Sequence, residues 1–153
     1  MDYEVSKDGY LVSTERERLD VDAIHAFLSD QSYWAAGIPK ERVVTAIEHS
    51  LPFGLYQGDR QIGFARAITD YATFACLADV YVEEPYRQRG LSKFLLDSVL
   101  SHPRLQLLRR WMLGTADAHG LYEQFGFIPL EKPQRWMERP DPDTYSRRAE
   151  AQA

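Results

Sequence analysis

The sequence predicts a mixed α/β fold, an α+β arrangement in which a mostly antiparallel sheet of about six to seven strands carries helices on its faces. Three observations predict it. Apolar residues recur at helical spacing in two early segments, a hairpin and a third strand-like run fill positions 52 to 82, and an amphipathic stretch over 91 to 100 separates that run from a later strand. The last connection is therefore a crossover.

Tyr10-Leu11-Val12-Ser13 is short and β-prone. Asp20 stands where a helix N-cap belongs, and Val21, Ile24, Phe27 and Leu28 follow at helical spacing. Pro39 suits the first position of a second helix, carried by Val43, Val44, Ile47 and Leu51 to about Ser50. Between the helices lies an aromatic loop, Ser32 to Ile38. There Trp34 plugs the core, or Tyr33 and Trp34 line a substrate pocket.

Pro52 to Gln57, the turn Gly58-Asp59-Arg60 and Gln61 to Thr69 make a hairpin. Asp70-Tyr71 breaks the chain, and Ala72 to Val82 is a third antiparallel strand, apolar along most of its length and so central in the sheet. The helix from Leu91 to Leu100 stops at His102-Pro103, and Trp111 to Thr115 forms the next strand. Asp117 then caps a short helix over Ala118 to Phe125, closed by Gly126. Phe127 to Leu130 and Gln134 to Glu138 read as two final strands. Residues 1–138 form one domain, and 139–153 form a loose tail rich in charge and proline.

Composition excludes several function classes. A single cysteine, Cys76, allows no internal disulfide and too few thiolates for a Cys-based zinc site, so the expected setting is reducing and cytoplasmic, with no metal. The start Met1-Asp2-Tyr3-Glu4 lacks the basic and apolar parts of a secretion signal, and no apolar run approaches the roughly 18 residues that span a bilayer. No membrane is expected as a partner. A net charge of −5 disfavours nucleic acid and suits a cationic substrate. The outer strands leave room for a homodimer.

The chemistry concentrates around Arg87-Gln88-Arg89-Gly90-Leu91-Ser92, between an apolar strand and a helix. A helix starting at a glycine presents unpaired N–H groups and the positive end of its dipole, which together make a site for a phosphate. A P-loop is a poor alternative, since Ser92-Lys93 reverses the Lys-Ser/Thr order that such a loop needs.

The segment from Phe53 to Leu130 resembles the GNAT superfamily, the acetyl-CoA-dependent N-acyltransferases. The signature of Arg or Gln, two residues, Gly, one residue, then Gly or Ala is met by Arg87 and Gly90, with Ser92 in the last place. Asp79-Val80-Tyr81-Val82 with Glu84-Pro85-Tyr86-Arg87 is similar to the family's fourth strand and its turn. Leu121-Tyr122-Glu123-Gln124-Phe125-Gly126-Phe127 resembles its Leu-Tyr-x-x-x-Gly-Phe element.

The resemblance implies a GNAT fold splayed between the fourth and fifth strands. It also implies an N-acetyltransferase that uses acetyl-CoA as donor and an amine as acceptor. Backbone N–H groups of Arg89, Gly90, Leu91, Ser92 and Lys93 would hold the diphosphate, with Arg87, Gln88 and Arg89 around it. Main-chain groups of Val80 and Val82 would pair with pantetheine, and Thr115 stands where the family often has Asn. Asp79 is the candidate base, as in polyamine acetyltransferases, and Tyr122 the candidate acid. The acceptor would meet Tyr33, Trp34, Tyr71 and Thr73. Strict alternation puts Cys76, Ala78, Val80 and Val82 on one face and Asp79 and Tyr81 on the other, and a β-bulge would change that parity. A non-catalytic CoA-binding or regulatory module of the same fold is the alternative.

Overall fold

The structure is a computed structural model, and it describes residues 1–147. Six strands pair in chain order: β1 (Glu4–Lys7), β2 (Tyr10–Ser13), β3 (Leu51–Gln57), β4 (Arg60–Thr69), β5 (Phe74–Val82) and β6 (Arg110–Met112). All neighbours are antiparallel except β5 and β6, which run parallel after the crossover. Helices α1 (Val21–Asp30), α2 (Lys40–Glu48), α3 (Leu91–Leu100) and α4 (His119–Glu123) complete the fold. Asp20 caps α1, its side chain accepting from the Ala23 N–H at 3.0 Å.

Three expectations are corrected. β1 was not expected, because Glu4-Val5-Ser6-Lys7 offers one apolar residue; its sign is the two-residue turn Asp8-Gly9, both residues left-handed at φ 53 and 84 as a tight hairpin requires. Among the described residues, Phe127 to Leu130 and Gln134 to Glu138 form no strands. Pro129 and Pro133 remove ladder donors, Pro133–Arg135 winds into a 3₁₀ turn, and β6 is only three residues long as an edge to pair with. The tail is not loose throughout, since Tyr145 packs half-buried against the α1–α2 side of the core; residues 148–153 of that tail lie outside the described residues.

Two apolar layers sandwich the sheet. On one face α3 packs Leu95, Leu96 and Val99 against Phe53, Leu55 and Ala65; on the other, Ile24, Leu28, Val43 and Ile47 of α1 and α2 cover Phe64 and Tyr81. Phe27 stacks on Tyr81 with centroids 3.8 Å apart. The buried hydroxyl of Tyr56 is the one buried side-chain polar atom among the described residues without a partner, and burial pushes its pKa up to about 12. Tyr56→Phe removes that unmet group. It is expected to raise the unfolding free energy in urea by about 1 kcal/mol, and a loss of that size would reveal a partner for the hydroxyl.

Two features of β5 position the site. Phe64 faces Tyr81 across the ladder while Arg66 faces Ala78, so β5 carries one extra residue, a bulge at Asp79-Val80. Parity changes there: Leu77 joins Val80 and Val82 in the α3 layer, and Asp79 shares the α1–α2 face with Tyr81 and Arg66. Pairing with β6 also ends at Cys76 and Met112, six residues before β5 does. The two strands part beyond that point.

Candidate active site

The turn after β5 has a backbone geometry that suits an anion. Gly90 caps α3 in the left-handed region (φ 75, ψ 13), and Gln88 is left-handed too (φ 65), with Arg89 between them. Such alternation turns successive N–H groups toward one point. No acceptor among the described residues meets the N–H groups of Arg89, Gly90, Leu91, Ser92 or Lys93. A Cβ at Gly90 would meet nothing within 4 Å, so the space over the turn is open and only backbone conformation demands glycine. Arg89, Gly90, Leu91 and Lys93 line a cavity of about 580 Å³ beside this turn.

The two arginines are already engaged. Arg87 Nε donates to the Val82 carbonyl at 2.8 Å, tying the turn to the end of β5. Arg89 donates to the Tyr10 hydroxyl and the Pro85 carbonyl, both at 3.3 Å, and lies over the Tyr86 ring. The backbone N–H groups are therefore the donors that the turn leaves free for an anion.

Where β5 and β6 part, a second cavity of about 230 Å³ brings together Tyr33, Trp34, Asp79, Val80, Thr115 and Tyr122. The aromatic loop bridges both arms: the Trp34 indole N–H donates to Asp79 Oδ1 at 2.9 Å, and the Tyr33 hydroxyl accepts from the Ala116 N–H at 2.7 Å. Trp34 is 43% exposed, so it walls this cavity and does not plug the core. Tyr122 is 9% exposed, and burial raises its pKa, with the neighbouring Tyr33 and Asp117 adding to the effect. The Thr115 hydroxyl accepts from the Ala118 N–H at 3.1 Å, which fixes the loop entering α4, and α4 has no side-chain cap at the place where Asp117 reads as one.

Asp79 sits at φ 55, a conformation that aspartate tolerates better than most residues. Its Oδ2 accepts from Arg66 Nε at 2.6 Å, with the two side chains 12% and 16% exposed. Removing one member of a largely buried pair leaves the other charge uncompensated. Asp79→Asn, which keeps the shape and the left-handed tolerance, is expected to cost about 3 kcal/mol of stability in chemical denaturation. A change below about 0.5 kcal/mol would mean that solvent already screens the pair.

Sequence reasoning missed Arg66, although it is the only charge inside the buried run Ile62 to Ala67. It also missed Asp117 on the cavity wall. Tyr71 and Thr73 lie elsewhere, at the β4–β5 turn. There Asp70 accepts from the N–H groups of Ala72, Thr73 and Phe74 and from the Thr73 hydroxyl, bonds that hold its carboxyl far below the usual range. Tyr71 lies beneath the Arg104 guanidinium, 3.8 Å from it. Neither lines the cavity.

Residues 21–127, more than half of the chain, match the model of the Acetyltransferase (GNAT) family. A protein from Gibberella zeae, FG08082, named as a candidate acetyltransferase, is 33% identical over 140 aligned residues, covering 76% of this chain and 77% of that one. The crystal structure of a candidate GNAT-family acetyltransferase from Xanthomonas campestris pv. campestris (xcc2953) superposes with a TM-score of 0.89 at 50% identity, covering 92% of this chain and 99% of the other. A candidate acetyltransferase of Deinococcus radiodurans R1 shares the fold at 19% identity, with a TM-score of 0.72 over 93% of this chain and 95% of that one.

Proposed function

The chain belongs to the GNAT acetyltransferase family, and from that premise we propose that it is an N-acetyltransferase, moving an acetyl group from acetyl-CoA to a primary amine of a small molecule or peptide with both substrates bound. The observation that carries this reading is that Tyr122 and Asp79, from opposite arms of the splay, line one cavity, and that β5, which forms one wall of it, leads on to the α3 turn. The donor supplies an activated acyl thioester. The open N–H groups from Arg89 to Lys93 hold its diphosphate, and the edge of β5 that β6 leaves uncovered beyond Cys76, at Val80 and Val82, pairs with its pantetheine arm, the Val82 carbonyl being already held by Arg87. The reaction runs in the cytoplasm, where Cys76 stays a thiol.

A primary amine has a pKa of ~10.4 and arrives protonated. The Asp79 charge attracts that cation, and its carboxylate takes the proton, directly or through a water. The neutral amine attacks the acyl carbon; a C–N bond forms, the C–S bond breaks, and the nitrogen gives up its second proton, which through solvent replaces the one that Tyr122 supplies. The departing thiolate, of pKa ~8.5, receives a hydrogen bond and then a proton from Tyr122, which its buried site keeps protonated at neutral pH.

Incubation with acetyl-CoA and a panel of polyamines, aryl amines, aminoglycosides and a peptide N-terminus is expected to release free thiol and add one acetyl group to an amine. Tight acetyl-CoA binding with no acetylated amine would favour a CoA-binding regulatory module instead. That second reading draws on Asp79, whose two oxygens are both engaged, by Arg66 and Trp34.

A further inference from the structure

Beyond the Arg66–Asp79 pair, on the side away from Tyr122, lies another cavity of about 220 Å³ between α1, α2 and the sheet. Its walls are aliphatic and aromatic: Ile24, Leu28, Val43, Ile47 and Phe64 line it, all buried. Tyr145 closes its outer side from the C-terminal segment. Protein cores are close-packed, so a space of this size, where apolar side chains of the α1–α2 layer face the Arg66–Asp79 pair, offers room for a small ligand of mixed character. Trp34 and Asp79 line this cavity and the one that holds Tyr122, so the two are neighbours across a shared wall.

Arg66 and Asp79 supply the charges of the α1–α2 cavity's floor. Arg66 spends Nε on Asp79, while no acceptor among the described residues meets its Nη1 or Nη2, and neither nitrogen is sealed from solvent. A guanidinium with two free nitrogens presents a fork for a planar carboxylate. Asp79, beside it, presents a negative charge to an ammonium. A carboxylate and an ammonium separated by one carbon match that pair, and an apolar group on the same carbon matches the lobe above.

We infer that the acceptor is an α-amino acid with an aliphatic or aromatic side chain: Arg66 binds its carboxylate, Asp79 receives its α-amine, and the α1–α2 cavity takes its side chain. This rests on the transferase reading. The reaction follows the balance already given, the α-nitrogen gaining the acetyl group and losing one proton as the C–S bond breaks.

The test compares matched acceptors on the native chain. L-Leucine against 3-methylbutylamine and L-phenylalanine against phenethylamine differ by the carboxylate alone. The amino acids are expected to show a kcat/KM about 30-fold higher, the value of one charged hydrogen-bonded contact. Arg66→Gln is expected to bring the ratio to near unity with the Kd for acetyl-CoA unchanged. Val43→Phe, which fills the lobe, is expected to raise KM for leucine and leave KM for glycine unchanged. Amines lacking the carboxylate that react as well as their amino acids, or a leucine KM that ignores Val43→Phe, would overturn the proposal. Saturation-transfer NMR of leucine with the CoA-bound chain separates the two readings. If leucine binds in an Arg66-dependent way while no amine is acetylated, transferase chemistry falls and the pocket stands; if neither occurs, the pocket falls as well.

Discussion

Gly90→Glu is expected to weaken acetyl-CoA binding by at least about 100-fold in calorimetry, close to abolition, and Gly90→Ala by less than about 10-fold. The pair separates conformation from charge. Both variants force a side chain into the left-handed region at φ 75, which costs about 1 kcal/mol. A Cβ at this position meets nothing within 4 Å, so alanine adds no clash. Glutamate adds a carboxylate at the positive end of α3, where it competes for the free N–H groups of the turn and repels the incoming diphosphate. A glutamate variant that bound within threefold of native would place the anion site away from α3.

Tyr122→Phe is expected to lower kcat by about 10² to 10³ while leaving the Kd for acetyl-CoA nearly unchanged, the usual range for loss of a positioned proton donor. The ring is buried and meets Phe127 edge to face with centroids 6.0 Å apart, and phenylalanine keeps those contacts. Because burial raises the Tyr122 pKa above 10, the group stays protonated throughout neutral and mildly alkaline solution. The native enzyme should accordingly show no alkaline fall in kcat from this residue below about pH 10. Full activity in the phenylalanine variant would put the acid elsewhere.

Much of this was legible in the sequence, where local chemistry and distant packing agree. The α3 turn could be read because glycine at a helix start and the apolar run before it are local signals. The α1 cap at Asp20 and the hairpin through Gly58 were readable for the same reason. β1 was not, since an exposed edge strand needs no apolar pattern, though Asp8-Gly9 marked its turn. The expected strands at 127–130 and 134–138 show the converse: apolar residues in a row do not form a ladder without an edge to join. At the site, Tyr33 and Trp34 reach the cavity with Tyr122 and Asp79, while Tyr71 and Thr73 are held in a turn by Asp70. What could not be read was pairing across strands. Arg66 engages Asp79 only because the bulge rotates that carboxylate onto its face, and spacing along one strand does not report what a neighbour presents.

The bulge uncouples two demands that a regular strand ties together. In an unbroken ladder, choosing which residue points at a ligand also dictates, by counting in twos, which residues fill the core for the rest of the strand. One extra residue resets that count. Before it, Leu77 serves the α3 layer; after it, Val80 and Val82 do. A family built on this strand can vary the acidic position beside its acceptor without repacking the layer that supports the diphosphate turn, so the donor half of the protein can stay constant while the acceptor half changes.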